Sequence, residues 1–300
     1  MVVKKTYGDR IVEIFLYMLY GLFALICIFP FYYIFINTIS NNDMAATGKI
    51  LFIPKGVHFA NYVHVFMLEG LSRAAFISVA RTVIGTFISV LSASFLGYAF
   101  TKEEYWHRKF WYKYIIITMY FGAGLIPGYL NIRMLGLLNN FLVYVLPSLC
   151  QSFGMIMVKT YIESIPPSLE ESAEIDGAGY LNRYINIVLP LAKPILATIA
   201  IFSAVGQWNS FMDTVLFVQK ESLYTLQFIL YRYLNQANVL AQLIRRNPLM
   251  ASEVANRARM LSPVSVNFTI TIVVILPILL VYPFFQRYLV KGIMIGAIKG

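Results

Sequence analysis

Residues 168–190 read Ser168-Leu-Glu-Glu-Ser-Ala-Glu-Ile-Asp-Gly-Ala-Gly-Tyr-Leu-Asn-Arg-Tyr-Ile-Asn-Ile-Val-Leu-Pro190. Glu170, Glu171, Glu174 and Asp176 crowd carboxylates into a short segment, yet long apolar runs lie on both sides of it. A polar, turn-punctuated insert in such surroundings presents a handle to the water phase. Pro166 and Pro167 stop what precedes it, because proline cannot continue a helix from upstream. Ser168 and Glu171 have the spacing of a capping box, in which each side chain satisfies a backbone N–H of the other end of the turn. Gly177 suits the left-handed position after a helix C-cap. The pattern predicts a helix of about two turns, then a turn, then a second amphipathic helix over Gly179–Val188 ended by Pro190.

The rest of the chain is apolar. Of 300 residues, 59% are hydrophobic and 13% charged, whereas a soluble domain carries about 25% charged residues. Spanning the hydrocarbon layer takes about 20 apolar residues per helix. Six runs qualify: Ile11–Ile39, Ala74–Phe100, Trp111–Tyr129, Phe141–Lys159, Pro194–Phe217 and Val266–Phe285. None alternates with the period of a barrel strand, so the expected fold is an all-α integral membrane protein with six transmembrane helices. It forms a single membrane domain over residues 1–300, with an inner loop at 160–193 and a long outer loop at 218–265. The first run lacks a small-x-small cleavage site and follows Lys4, Lys5 and Arg10. It therefore reads as an uncleaved anchor with its N-terminus inside, and six crossings return the C-terminus to the cytoplasm. The Lys/Arg content of the short loops agrees with this orientation. A net charge of +10 suits a chain facing anionic lipid and does not point to nucleic acid.

The spacing of Glu171-x-Ala173, Gly177 and Ile187-Val-Leu189-Pro190 resembles the cytoplasmic EAA loop of ATP-binding-cassette (ABC) importer permeases. Four further stretches are similar to maltose-type carbohydrate permeases: Tyr120-Phe-Gly-Ala-Gly-Leu-Ile-Pro127, Leu135-Gly-Leu-Leu-Asn-Asn140, Gly206-Gln-Trp-Asn-Ser-Phe211 and Gln286-Arg-Tyr-Leu-Val-Lys-Gly292. The nearest branch is the Gram-positive one tied to complex oligosaccharides and uronate-containing saccharides. One departure is Ser172, where the family usually has Ala. The resemblance implies a type I ABC importer permease fold in the bacterial cell membrane. It implies ATPase docking through Glu171, Ser172, Ala173, Asp176, Gly177, Ala178, Leu189 and Pro190, with the C-terminal tail nearby. The implied partners are a paralogous permease in a heterodimer, two ATPase subunits that bind ATP and Mg, an extracellular substrate-binding protein and a saccharide.

The residues themselves say little of catalysis. The sequence has no G-x-x-x-x-G-K-[ST] loop to cradle ATP phosphates, and no nucleophile–base constellation stands out. His58, His64 and His107 fall outside the apolar runs and read as solvated surface residues. Cys27 and Cys150 fall inside them and read as buried, inert thiols. At 1.5 Å per helical residue, Tyr120, Gln151, Gln207, Trp208 and Asn209 come out near mid-membrane, with Asp213 also deep. Aromatic faces and amides there suit a saccharide route, a role the resemblance supports for Trp208 and Asn209; interhelical hydrogen bonding is the other reading of all of them. Arg81 is expected to snorkel to the outer interface, with pairing to Asp213 or to an acidic saccharide as alternatives. An ion-coupled secondary transporter is the rival class, and the scarcity of buried carboxylates argues against it.

Overall fold

The computed structural model describes residues 7–246 and 263–297, and among these every regular element is helical. The chain divides into two compact units, Met1–Leu68 with Arg232–Ile275 and Glu69–Tyr231 with Leu276–Gly300.

In the first unit α1 (Tyr7–Thr38) is a 32-residue helix whose apolar side chains stay exposed except in its last turn. That last turn is gripped by the following loop, which contains α2 (Asn42–Ala46) and α3 (Ala60–Phe66). Asn37 Nδ2 donates to the Tyr33 and Ile50 carbonyls at 2.8 and 3.3 Å. Asn61 Nδ2 donates to the Thr38 carbonyl at 2.8 Å, and the Thr38 and Tyr62 hydroxyls meet at 2.8 Å. Polar side chains thus replace the hydrogen bonds that a helix end leaves open, while Ile50 and Val65 fill a small core.

The second unit is organised around α4 (Leu71–Ala99). It continues through α5 (Arg108–Tyr120), α6 (Leu125–Met134), α7 (Ser152–Ile162), α8 (Ser168–Ile175), α9 (Tyr180–Leu191), α10 (Lys193–Asn209) and α11 (Met212–Phe217). Helix α4 packs against α7 and α10. Ala93, Tyr98, Val158, Ile162, Tyr184, Val188, Ile195 and Ile199 form the shared core. Gly97 makes this approach possible: a Cβ there would lie 2.7 Å from Val158 Cγ1 and 3.2 Å from the Lys159 backbone nitrogen. Gly97→Leu is therefore expected to cost about 1–3 kcal/mol through overpacking. Thermal unfolding checks this, with Gly21→Leu as the control because no atom lies within 4 Å of that position. Among the described residues two more helices follow, α12 (Leu226–Arg246) and α13 (Pro263–Ala297).

Three of the six expected spans are single helices long and apolar enough to cross a membrane: α1, α4 and the Val264–Pro283 portion of α13. The other three are interrupted and not single helices. Phe141–Lys159 is a 3₁₀ segment, Phe141–Ser148, followed at 42° by α7. Pro194–Phe217 is broken at Ser210–Phe211 into α10 and α11. Trp111–Tyr129 is not one helix, because Phe121 is extended and Gly124 has φ +84°, which separates α5 from α6. Backbone freed by such breaks must be satisfied from elsewhere in the protein. Here Ser92 Oγ donates to the Leu149 carbonyl, and a nitrogen of Arg81 donates to the Ser210 carbonyl at 3.2 Å. Cys27 and Cys150 are exposed on this chain, not buried; α1 in particular turns nearly all its apolar side chains outward.

Candidate docking segment and polar cavity

Helix α8 begins one residue earlier than the capping-box pattern predicts. Pro167 is already helical at φ −61°, ψ −28°, and its carbonyl accepts from both the Glu170 and Glu171 N–H groups at 3.0 Å. The fixed proline ring presets the first turn, so Ser168 lies inside the helix and no side chain caps it. Ser172 Oγ instead donates to the Ser168 carbonyl at 2.8 Å, and Glu171 is left facing solvent.

The other end fits its expectation. Gly177 has φ +85°; its N–H donates to the Glu174 carbonyl and the Ala178 N–H to the Ala173 carbonyl, both at 2.9 Å. These two bonds are the Schellman closure. The second helix runs on past its predicted end. A π-turn over Tyr184–Val188 precedes Pro190, the helix continues to Leu191, and α10 then departs at 77°. A π-turn already shifts the bonding register, so the proline's missing N–H costs little there.

Of the residues assigned to docking, Glu171, Ser172, Asp176, Gly177 and Pro190 are exposed, while Ala173, Ala178 and Leu189 are half-buried. Ile175, 87% exposed, and Leu169 add apolar surface beside the carboxylates. The segment is braced from beneath. Arg183 is buried, donates to Glu174 at 2.6 Å and lies 4.5 Å from the Tyr180 ring. Glu170 is ion-paired with Lys102, just beyond the end of α4. Nearby Glu104 is held below the usual carboxylate range, chiefly by a hydrogen bond to its own backbone N–H and further by Lys102 and Arg183.

The second feature is an open cavity of about 400 Å³ lined by Arg81, Tyr144, Ser148, Gln151, Gln207 and Asp213. Arg81 does not snorkel: its side chain is 3% exposed. All five of its N–H groups are engaged. Nε and Nη2 donate to Gln207 Oε1 at 3.2 and 3.0 Å; Nη1 donates to the Ser210 carbonyl at 3.2 Å and Asp213 Oδ1 at 3.1 Å; Nη2 reaches Asp213 Oδ2 at 2.5 Å. The guanidinium also lies 4.4 Å from the centre of the Tyr144 ring. Burying this cation is tolerable because a carboxylate, two carbonyl-type acceptors and an aromatic face replace its water. The pair also closes the break between α10 and α11: the cation meets the C-terminal end of one helix and the anion the N-terminal end of the next, as helix dipoles favour.

Of the expected route residues, Gln151 and Asp213 line this cavity. Trp208 is buried and faces a separate apolar groove with Pro277 and Tyr282. Asn209 is exposed and accepts from Gln227 Nε2 at 3.2 Å. Tyr120, 81% exposed, ends α5 away from the cavity. Sequence reasoning placed Gln207 at mid-membrane without giving it a role, and passed over Tyr144 and Ser148. The available signal was the opposite charge of Arg81 and Asp213 inside two separate apolar runs, which calls for a shared partner set. Gln207 Nε2 completes that set, donating to Ser148 Oγ at 2.8 Å and the Tyr144 carbonyl at 3.3 Å.

Residues 2–295 match the family model described as the binding-protein-dependent transport system inner membrane component. The chain is 30% identical over 294 residues to the polygalacturonan/rhamnogalacturonan transport system permease protein YtcP of Bacillus subtilis, covering 97% of this chain and 99% of that one. It is 31% identical over 297 residues to protein LplC of the same organism, covering 99% and 97%. Among solved structures, a chain of a bacterial ABC transporter involved in the import of the acidic polysaccharide alginate superposes with a TM-score of 0.82 at 31% identity, over 95% of this chain and 98% of that one. By its sequence along nearly the whole length and by its fold, this chain belongs to the family of binding-protein-dependent transport system inner membrane components.

Proposed function

We propose that the chain is one of two paired permease subunits of an ABC importer for acidic oligosaccharides. Its six crossings, some of them broken helices, leave both termini in the cytoplasm. The observation that carries this reading is the likeness, at 31% identity and a TM-score of 0.82, to a chain of the alginate importer. The subunit is not itself an enzyme. ATP and Mg are bound by two separate ATPase subunits, which dock on Glu171, Ser172, Ala173, Asp176, Gly177, Ala178, Leu189 and Pro190. An extracellular binding protein delivers the saccharide.

Gln151 and Asp213 are assigned to the translocation route at the polar cavity. Asn209 and Tyr120, exposed on the isolated chain, are assigned to surface that the second permease completes, and Trp208 supports α10 from behind. Because every N–H of Arg81 is taken, the cavity recognises a saccharide through its hydroxyls, by way of neutral groups such as the Gln151 amide.

Uptake of a labelled uronate oligosaccharide by cells carrying the whole transport system tests the reading. Uptake is expected to survive ionophore collapse of ion gradients while ATP is maintained, and to stop when the ATPase gene is deleted. Gradient-driven uptake without the ATPase would establish a secondary transporter instead.

A further inference from the structure

We infer that Lys102 and Glu170 form a latch carrying ATPase motion from α8 directly into α4, and that they are positioning residues for the coupling of hydrolysis to transport. The inference rests on the importer reading above.

The backbone between α8 and α9 runs through Gly177-Ala178-Gly179, and the Glu174–Arg183 pair bridges it. A turn with two glycines is a compliant joint, so a push on α8 passes on mainly through its side-chain ties, one to α9 and one to α4. The carboxylates of α8 divide accordingly. Glu171 and Glu174 are exposed, and Glu174 is bonded within the segment to Arg183. Glu170 turns inward: its side chain is 16% exposed and meets Lys102, itself 20% exposed.

The surroundings make this contact a junction. Lys102 Nζ lies 4.6 Å from the centre of the Tyr98 ring. The Tyr98 hydroxyl is 3.3 Å from both Glu170 Oε2 and the Tyr180 carbonyl. The Tyr98 and Tyr184 rings are 5.1 Å apart, and the Tyr184 hydroxyl donates to Ser94 Oγ at 2.9 Å. The end of α4, the first turn of α8 and the body of α9 thus meet in one partly dehydrated cluster, where an ion pair is stronger than on open surface.

Helix α4 is unbroken from Leu71 to Ala99. Arg81, on the same helix, lies about 30 Å from the latch at 1.5 Å per residue. A rigid element with one ion pair just past its C-terminal end, at the docking segment, and another about a third of the way along it, at the cavity, is the kind of physical connection that links distant sites. Of the other described ion pairs, Arg183–Glu174 ties α8 to α9 but does not reach α4, and Arg108–Glu103 and Lys159–Glu163 join residues close in sequence.

The test uses the complete transporter in liposomes with its binding protein and a uronate oligosaccharide, measuring ATP hydrolysed per saccharide imported beside co-purified ATPase. Lys102→Met and Glu170→Gln are expected to raise that ratio roughly fivefold or more, with ATPase recovery unchanged. Lys102→Arg and the exchange Lys102→Glu with Glu170→Lys are expected to bring it back towards wild type. An unchanged ratio in the single variants, or recovery of ATPase falling in step with uptake, would overturn the latch, since it acts after docking. Variants that fail to assemble while Lys102→Arg assembles normally would also overturn it, making the pair structural. Failure of wild type to couple ATP to uptake would instead strike the importer reading itself.

Discussion

Arg81→Leu is expected to destabilise the protein by about 3–5 kcal/mol, the cost of stranding one member of a buried ion pair. The substitution removes all five donors at once, leaving the Asp213 carboxylate, Gln207 Oε1 and the Ser210 carbonyl short of partners in a largely dehydrated site. It also unfastens the break between α10 and α11. The double variant Arg81→Leu/Asp213→Leu removes the stranded charge and is expected to recover much of the loss, because replacing a buried pair by apolar residues is often neutral. Denaturation midpoints of wild type, both single variants and the double variant measure this. A double variant as unstable as the sum of the two singles would mean that Arg81 and Asp213 act independently.

Gly177→Val is expected to reduce uptake by tenfold or more. A residue with a Cβ at φ +85° loses about 1–2 kcal/mol, with β-branching worse still, and the Schellman bonds to Ala173 and Glu174 slip with it. The bundle should insert normally, because no other atom lies within 4 Å of the new Cβ. Gly179→Val is the paired control. Gly179 has φ −69°, ψ 167°, which any residue adopts, and it too has open space around it. Uptake and ATPase recovery should fall for the first variant and hold for the second. Equal behaviour of the two would detach the docking role from the geometry of this turn.

The contrast between these two sites shows how far the sequence could be read. The end of α8 is a local matter: a glycine after a helical run, with backbone bonds closing within six residues, leaves its mark in the residue pattern. The beginning of α8 is local too, yet two rules competed there, and Pro167 as a preset first turn outweighed Ser168 as a cap. The cavity is not local. Counting residues along a span gives depth but not the direction a side chain points, and neighbouring helical positions diverge by about 100°. Gln207 and Trp208 therefore share a depth while lining different spaces. For Arg81 the default of snorkelling failed, because a lone cation in an apolar run is most cheaply placed at an interface; the alternative of pairing with Asp213 held, although the two lie 132 positions apart, a separation that no periodicity links. The breaks at 121–124 and 210–211 were hidden for a related reason. Hydropathy averages over a window and does not register a backbone whose polar groups are satisfied by side chains from elsewhere.

The corner at Ala192 has a mechanical meaning. Helix α9 is about 18 Å long and α10 about 25 Å at 1.5 Å per residue, and they meet at 77°. Two stiff arms at nearly a right angle behave as a bell crank. A thrust across the far end of α9 emerges as a sideways swing of α10, enlarged by the ratio of the arms to about 1.4 times the input. The tip of α10 is Asn209, next to the Ser210–Phe211 break and the Arg81 anchorage. A shift of an ångström or so at the far end of α9 would therefore arrive beside the polar cavity as a sideways displacement of the tip of α10.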